Sequence, residues 1–162
     1  METALGRLAA EGELVRVRHG LYWRGTMTRF GMTGVSALDV ALAVAGPGAG
    51  PAGTSAAQML GLTTQVPATI EVAVPGVVPR PLHGVRFRSR PFTRRERRLT
   101  PLEVAFIEVL RDPTASETGW DETGLTMAAL LAGHRVRPEI LAEEVATEHH
   151  RQARDRWASI PA

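Results

Sequence analysis

The sequence contains no cysteine, which excludes disulfides and thiolate chemistry and fits a reducing compartment. It contains no lysine either: all 19 of its Lys plus Arg residues are arginine. That argues against a nuclease built on acidic residues plus lysine. It also excludes a phosphate loop, because "GPGAGPAGTS" lacks the Gly-Lys-Ser/Thr ending. No Asp follows Gly53-Thr54-Ser55 before Asp112, so the paired aspartates of a Mg²⁺-dependent nucleotidyltransferase are missing. No apolar run approaches the ~20 residues of a membrane span. The N-terminus shows no basic segment followed by an apolar one, as a secretory signal would. The expectation is a soluble cytoplasmic protein with no membrane partner, no catalytic residues, no metal and no cofactor.

What the 162 residues do contain is globular: 44% hydrophobic and 22% charged, with a formal net charge of only +2. With so small a balance, partners have to be argued from where the charge sits. The abundant Ala, Gly, Val and Pro suggest a GC-rich genome, so arginine content alone is no sign of phosphate recognition.

The first segment predicts a helix followed by a hairpin. Leu5 and Leu8 share a helical face, and Gly12 stands where a left-handed C-cap would end it. Leu14–Arg18 and Leu21–Arg24 read as strands around a His19-Gly20 turn. Simple alternation then sets Val17 opposite Tyr22 and Arg16 opposite Trp23. On spacing alone the expectation is an ordinary amphipathic hairpin bearing solvated arginines.

Residues 26–34 are polar and Gly-bearing and read as a linker. Val35–Ala45 predicts an apolar helix with Ser36 near its start, and 46–53 a loop. Thr54 or Ser55 is expected to cap the next short helix, which Gly61 ends. Ser55 is therefore read as a cap rather than a nucleophile. Ile70–Val74 is a strand, with Val85–Arg88 its expected antiparallel partner. Pro101 opens a helix to Arg111, with Leu102, Ala105, Phe106, Val109 and Leu110 inward. Two further helices are expected, over Leu125–Ala132 and Pro138–Trp157.

Two clusters invite a functional reading. Arg86, Arg88, Arg90, Arg94, Arg95, Arg97 and Arg98 form either a surface for nucleic acid or an acidic protein, or a solvated face. Glu144 and Glu148, four apart on a helix beside His149-His150, form either a solvated helix face or a metal site, the former being the expectation.

"ALGRLAAEGELVRVRHGLYW" resembles the end of a winged helix-turn-helix, with its recognition helix and wing. "GTSAAQMLGLTTQVPATIEVAVPG" resembles the core of AbiEi-like antitoxins of type IV toxin–antitoxin systems. Ala56-Ala57, Leu60-Gly61-Leu62, Gln65 and Pro67 carry the match. "GVRFRSRPF" and "LTPLEVAFIEVL" continue it, so the resemblance covers residues 1 to about 112. It implies an α+β chain in which 1–25 are the C-terminal part of a winged helix and 35–162 an antitoxin-like domain with a small antiparallel sheet. It further implies an autorepressor that binds its own promoter DNA and counteracts a cognate nucleotidyltransferase-like toxin, with no stable complex required.

On that geometry Thr3 and Arg7 are the candidates for base or phosphate contacts on the helix. Arg16, Arg18, His19 and Arg24 are those at the wing. The family's pattern places a further helix ahead of the recognition helix, whereas this sequence starts within it. The expectation is an N-terminally shortened antitoxin that binds DNA more weakly than an upstream-extended form. Two other readings stay open: a winged-helix regulator with no toxin partner, and an enzyme acting on nucleic acid or phosphate.

Overall fold

The computed structural model describes residues 4–161. The chain divides into two compact units, Met1–Val40 and Ala41–Ala162. It is α+β, as expected. Among the described residues no helix is long and apolar enough to cross a membrane.

The first unit opens with α1 (Ala4–Ala10), which stops before Gly12 at φ +79°. An antiparallel hairpin follows, β1 (Val15–Arg18) and β2 (Leu21–Trp23), turning at His19-Gly20 with Gly20 at φ +75°. The register departs from simple alternation. Arg18 faces Leu21, but Arg16 faces Tyr22 rather than Trp23, because the register shifts between Arg16 and Arg18. The extra residue of this bulge is Val17, which no single-strand pattern announces.

Residues 26–34, expected as a linker, form a second antiparallel hairpin of β3 (Met27–Thr28) and β4 (Gly31–Met32). Its threonines make it a structure rather than a tether: Thr26 N donates to Thr33 Oγ1 at 2.9 Å and Thr33 N to Thr26 O at 2.9 Å. Trp23 Nε1 donates to Thr33 O at 2.9 Å and ties this hairpin to the first. Then comes α2 (Ala37–Ala45), capped by Ser36, whose hydroxyl accepts from Asp39 N at 3.0 Å.

The second unit centres on a three-stranded sheet of order β5-β6-β7. Its first strand, β5 (Gly50–Ala52), lies in what reads as a loop and is fully buried. The glycines there serve close approach: a Cβ on Gly50 would lie 2.4 Å from Val104 Cβ. Next comes α3 (Gly53–Met59), whose N-cap is Ala52, so neither Thr54 nor Ser55 caps it. Ser55 is instead buried inside the helix, and its hydroxyl accepts the Glu71 N–H at 3.3 Å, joining α3 to β6 (Ile70–Pro75).

β6 is antiparallel to β5, but β7 (Val85–Arg90) runs parallel to it, contrary to the hairpin expectation. Residues 76–84 make this possible. Turning glycines stand at both ends, Gly76 at φ +84° and Gly84 at φ +71°, with Pro79 and Pro81 between. An extended run at about 3.3 Å per residue is long enough to retrace the strand without a helix.

A short α4 (Thr93–Glu96) leads to α5 (Pro101–Arg111). Pro101 occupies the first turn, and Thr100 and Glu103 form a reciprocal capping box: Glu103 N to Thr100 Oγ1 at 3.3 Å, Thr100 N to Glu103 Oε2 at 2.8 Å. One apolar face was expected on α5. Instead Val104 and Ile107 are as buried as Ala105, Phe106 and Leu110, while Leu102 is only half-buried. α5 is thus the unit's central helix, covered on all sides.

α6 (Trp120–Ala132) begins earlier than the apolar pattern indicates. The expected helix over 138–157 is two, α7 (Pro138–Thr147) and α8 (Arg151–Ala158), because His150 Nδ1 accepts the Ala153 N–H and starts a new helix. Trp157 of α8 meets Phe106 edge to face at 6.0 Å.

Within this apolar core lies a charged one. Arg94 of α4 is 0% exposed. Its Nη1 donates to Glu108 Oε1 at 2.7 Å and its Nη2 to Glu148 Oε2 at 3.3 Å, while its Nε lies 3.6 Å from Glu144 Oε1. Each carboxylate has a second arginine. Arg90 gives Glu108 two bonds of 2.7 Å, Arg97 pairs with Glu144, and Arg111 with Glu148.

Burial pushes the Glu108 carboxyl up, but hydrogen bonds and charge from Arg90 and Arg94 outweigh it and hold it below the usual glutamate range. Glu148 follows the same balance through Arg111 and Arg94. So does Glu103, where Arg137 supplies bonds of 2.7 and 2.6 Å from Nε and Nη2.

Removing Arg94 leaves buried carboxylates short of a cation. Arg94→Met is expected to cost roughly 3–5 kcal/mol in chemical denaturation, whereas Arg80→Ala, at an exposed side chain, stays within about 0.5 kcal/mol. The lowered carboxyl pKa values set the pH dependence. Their contribution is complete above the unfolded glutamate value of about 4.3. It is lost as pH falls from there through the lower folded values. A denaturation midpoint that stays level from pH 6 to 3 would contradict this.

The two-unit division predicts the outcome of limited proteolysis. Trypsin is expected to cut after the exposed Arg24 or Arg29 and leave a folded fragment containing residues 41–161. Loss of both units together, with no lasting fragment, would refute it.

Candidate nucleic-acid interface

The hairpins of the first unit carry charge of one sign. Between Glu13 and Asp39 the chain holds Arg16, Arg18, Arg24, Arg29 and His19, and no Asp or Glu. Arg16, Arg18, His19, Arg24 and Arg29 are all exposed, as is Arg7 on α1. Among the described residues, none of these arginines enters a salt bridge. The one polar contact within the set joins Arg16 Nη2 to His19 Nδ1 at 3.1 Å across the β1–β2 turn. Thr3 lies outside the described residues.

Arg16 and Arg18 come to the hairpin surface on either side of the bulge, and Val17 between them is half-buried. Arg24 leaves the end of β2, and Arg29 stands at the tip of the second hairpin. The structure thus places Arg16, Arg18 and His19 together around one turn. It adds Arg29, which sequence reasoning missed by treating its segment as a tether. The acid-free run from Leu14 to Leu38 was the signal that could have found it.

The basic cluster of the second unit has a different fate. Arg94 is inside the core, and Arg90 and Arg97 are engaged by buried glutamates. Arg86 and Arg88 share Glu71, at 3.0 and 2.8 Å. Arg95 donates to the carbonyls of Pro47 and Ala45 at 3.3 and 3.1 Å. Arg98 is exposed, in a left-handed conformation at φ +50°.

Of the two readings of the cluster, an open basic surface or a solvated face, neither describes Arg90, Arg94 and Arg97, which pair inside, while Arg86, Arg88 and Arg98 remain at the surface. The signal was Glu108, a carboxylate inside the apolar run "VAFIEVL". A buried anion there required a cation from elsewhere. Glu144 and Glu148 likewise point inward to Arg94, Arg97 and Arg111, so neither a solvated face nor a metal site describes them. His149 is exposed, and His150 caps α8.

A polar cleft of about 530 Å³ is bordered by Gln65, Pro67, Glu71, Asp112 and Glu117. Its carboxylates are already engaged. Glu71 holds Arg86 and Arg88, Glu117 accepts from Thr63 Oγ1 at 2.8 Å and Thr64 N at 3.1 Å, and Asp112 accepts from Thr114 Oγ1 at 2.6 Å. That hydrogen bond from Thr114 is the main cause holding the Asp112 carboxyl below the usual aspartate range. Among the described residues no group of three or more His, Asp or Glu side chains could hold a metal ion. No protein-family model matches the chain, and no curated protein matches it.

Proposed function

We propose that the chain is an AbiEi-like antitoxin: a non-enzymatic autorepressor whose first unit binds promoter DNA and whose second unit counteracts a nucleotidyltransferase-like toxin. One observation carries the DNA-binding half. The exposed arginines of α1 and the two hairpins have no carboxylate partner, while those of the second unit are mostly paired. Unpaired arginines on an exposed hairpin suit phosphates, which attract them from solution and release counterions on contact.

In this reading α1 lies in the major groove, with Arg7 facing base edges or phosphates. The β1–β2 hairpin meets the flanking backbone through Arg16, Arg18, His19 and Arg24. The antitoxin half has its own support. It rests on the resemblance of the "AAQMLGLTTQVP" segment, two of whose residues, Gln65 and Pro67, border the polar cleft.

Titrations of a labelled promoter duplex across a salt series test the first half, with this chain and with a form extended upstream. Each phosphate-contacting arginine removed lowers the salt slope by about one. Arg16→Ala with Arg18→Ala is therefore expected to weaken binding and reduce the slope by about two. An unchanged affinity and slope would leave the hairpin a purely structural element. Co-expression with a neighbouring nucleotidyltransferase tests the second half. Rescue of growth supports an antitoxin, and failure to rescue leaves a plain regulator.

A further inference from the structure

The β3–β4 hairpin is an ordered element with an unusual tip. Residues 29–30 form its turn, and Phe30 is 86% exposed, with Met27 beside the turn at 65%. Turn positions that only connect strands favour Gly, Asn, Asp, Ser or Pro. Here they hold Arg29 and Phe30, with the Arg29 guanidinium carbon 4.6 Å from the Phe30 ring centre.

The turn that displays them is tightly made. Thr28 Oγ1 donates to Gly31 O at 2.8 Å and accepts the Phe30 N–H at 3.2 Å. Gly31 takes φ +106°, a conformation open to glycine and strained for other residues. At the base, a Cβ on Gly25 would lie 2.3 Å from Thr33 O, and the Trp23 indole bonds to that same carbonyl. These bonds fix the hairpin's backbone, and among the described residues the Arg29 and Phe30 side chains show no hydrogen bond or salt bridge beyond their contact with each other.

We propose that the β3–β4 hairpin is a second DNA-contacting element, which sets Arg29 in the minor groove and seats the Phe30 ring against the base step as an apolar wedge. The inference rests on the DNA-binding reading above and extends it to a segment with no assigned role. A cation and an exposed aromatic side by side are the pair that minor-groove wedges use: the cation answers the groove's negative potential, and the ring partly unstacks a step. Charge selects this partner. The hairpin lies within the acid-free run from Leu14 to Leu38, so it presents no carboxylate to repel phosphates. A membrane surface fits less well, because one Phe and one Met give little apolar depth for stable anchoring.

The test uses the 162-residue chain and a promoter duplex carrying 2-aminopurine at successive positions, at low salt where weak binding is measurable. The wild-type chain should raise 2-aminopurine fluorescence at one step as the stack opens. Phe30→Ala should abolish that signal and weaken binding about tenfold, with the salt slope unchanged. Phe30→Trp should restore both. Arg29→Ala should lower the slope by about one. Because Phe30 is exposed, an unchanged melting temperature should show that these variants still fold.

If Phe30→Ala keeps full affinity and the fluorescence signal while Arg16→Ala with Arg18→Ala weakens binding, the second hairpin is no contact and only this inference fails. If the wild-type chain ignores DNA altogether, both readings fail. If Phe30→Ala loses binding to anionic phosphatidylserine vesicles but not to DNA, the tip is a membrane contact and the proposal is overturned.

Discussion

The guanidinium of Arg94 is fully buried, so its charge has to be met by carboxylates brought from distant parts of the chain. Glu108 comes from the middle of α5, Glu144 from α7, and Glu148 from the break before α8. Burying any one of these groups alone would be strongly unfavourable, and a pair only breaks even when geometry and hydrogen bonds are good. The solution here is to give each carboxylate two arginines, so that Arg90, Arg97 and Arg111 complete what Arg94 begins. The apolar core then packs around a charged centre whose members must all arrive together. That ties the strand β7, the short α4, the helices α5 and α7 and the break before α8 into one arrangement.

The same residue type is used in opposite ways in the two units. In the second, arginine's planar fork makes paired bonds to carboxylates, as where Arg90 meets both oxygens of Glu108 at 2.7 Å. In the first, the arginines of both hairpins stand in solvent without a carboxylate. Lysine would serve poorly at the Arg90 position, because an ammonium cannot match two oxygens in one plane. An arginine-rich composition can reflect codon usage, and in the second unit much of it is structural. Placement and pairing, rather than abundance, separate a candidate interface from a scaffold.

Much of the fold could be read from local pattern. α1 and the first turn followed from Gly12 and Gly20, and α5 from Pro101 and its apolar spacing. These features depend on backbone preferences a few residues apart. What escaped depended on longer range. The parallel pairing of β6 and β7 rests on the course of residues 76–84. β5 exists because Gly50 can approach Val104 closely, which no composition rule reveals.

The bulge at Val17 moved Arg16 opposite Tyr22, although local alternation put it opposite Trp23. The candidate wing residues Arg16, Arg18 and His19 were legible because the turn gathers neighbours in sequence. Arg29 was missed because threonines, common in loops, here close a hairpin. The buried pairing of Arg94 and Arg97 was not legible because their partners lie up to 54 residues away.

The motifs read from the sequence end near residue 112, yet the second unit does not. Glu144 and Glu148 lie beyond that point, and so does Arg137, whose backbone N–H and side chain both bond Glu103 at the start of α5. Without them Arg94 would keep Glu108 alone, and the Glu103 carboxylate would lose its cation. Trp157 against Phe106 and Arg156 Nη1 on the Leu110 carbonyl at 2.7 Å add the apolar and polar closure of the same helix. The C-terminal helices are therefore part of the core that holds α5 in place.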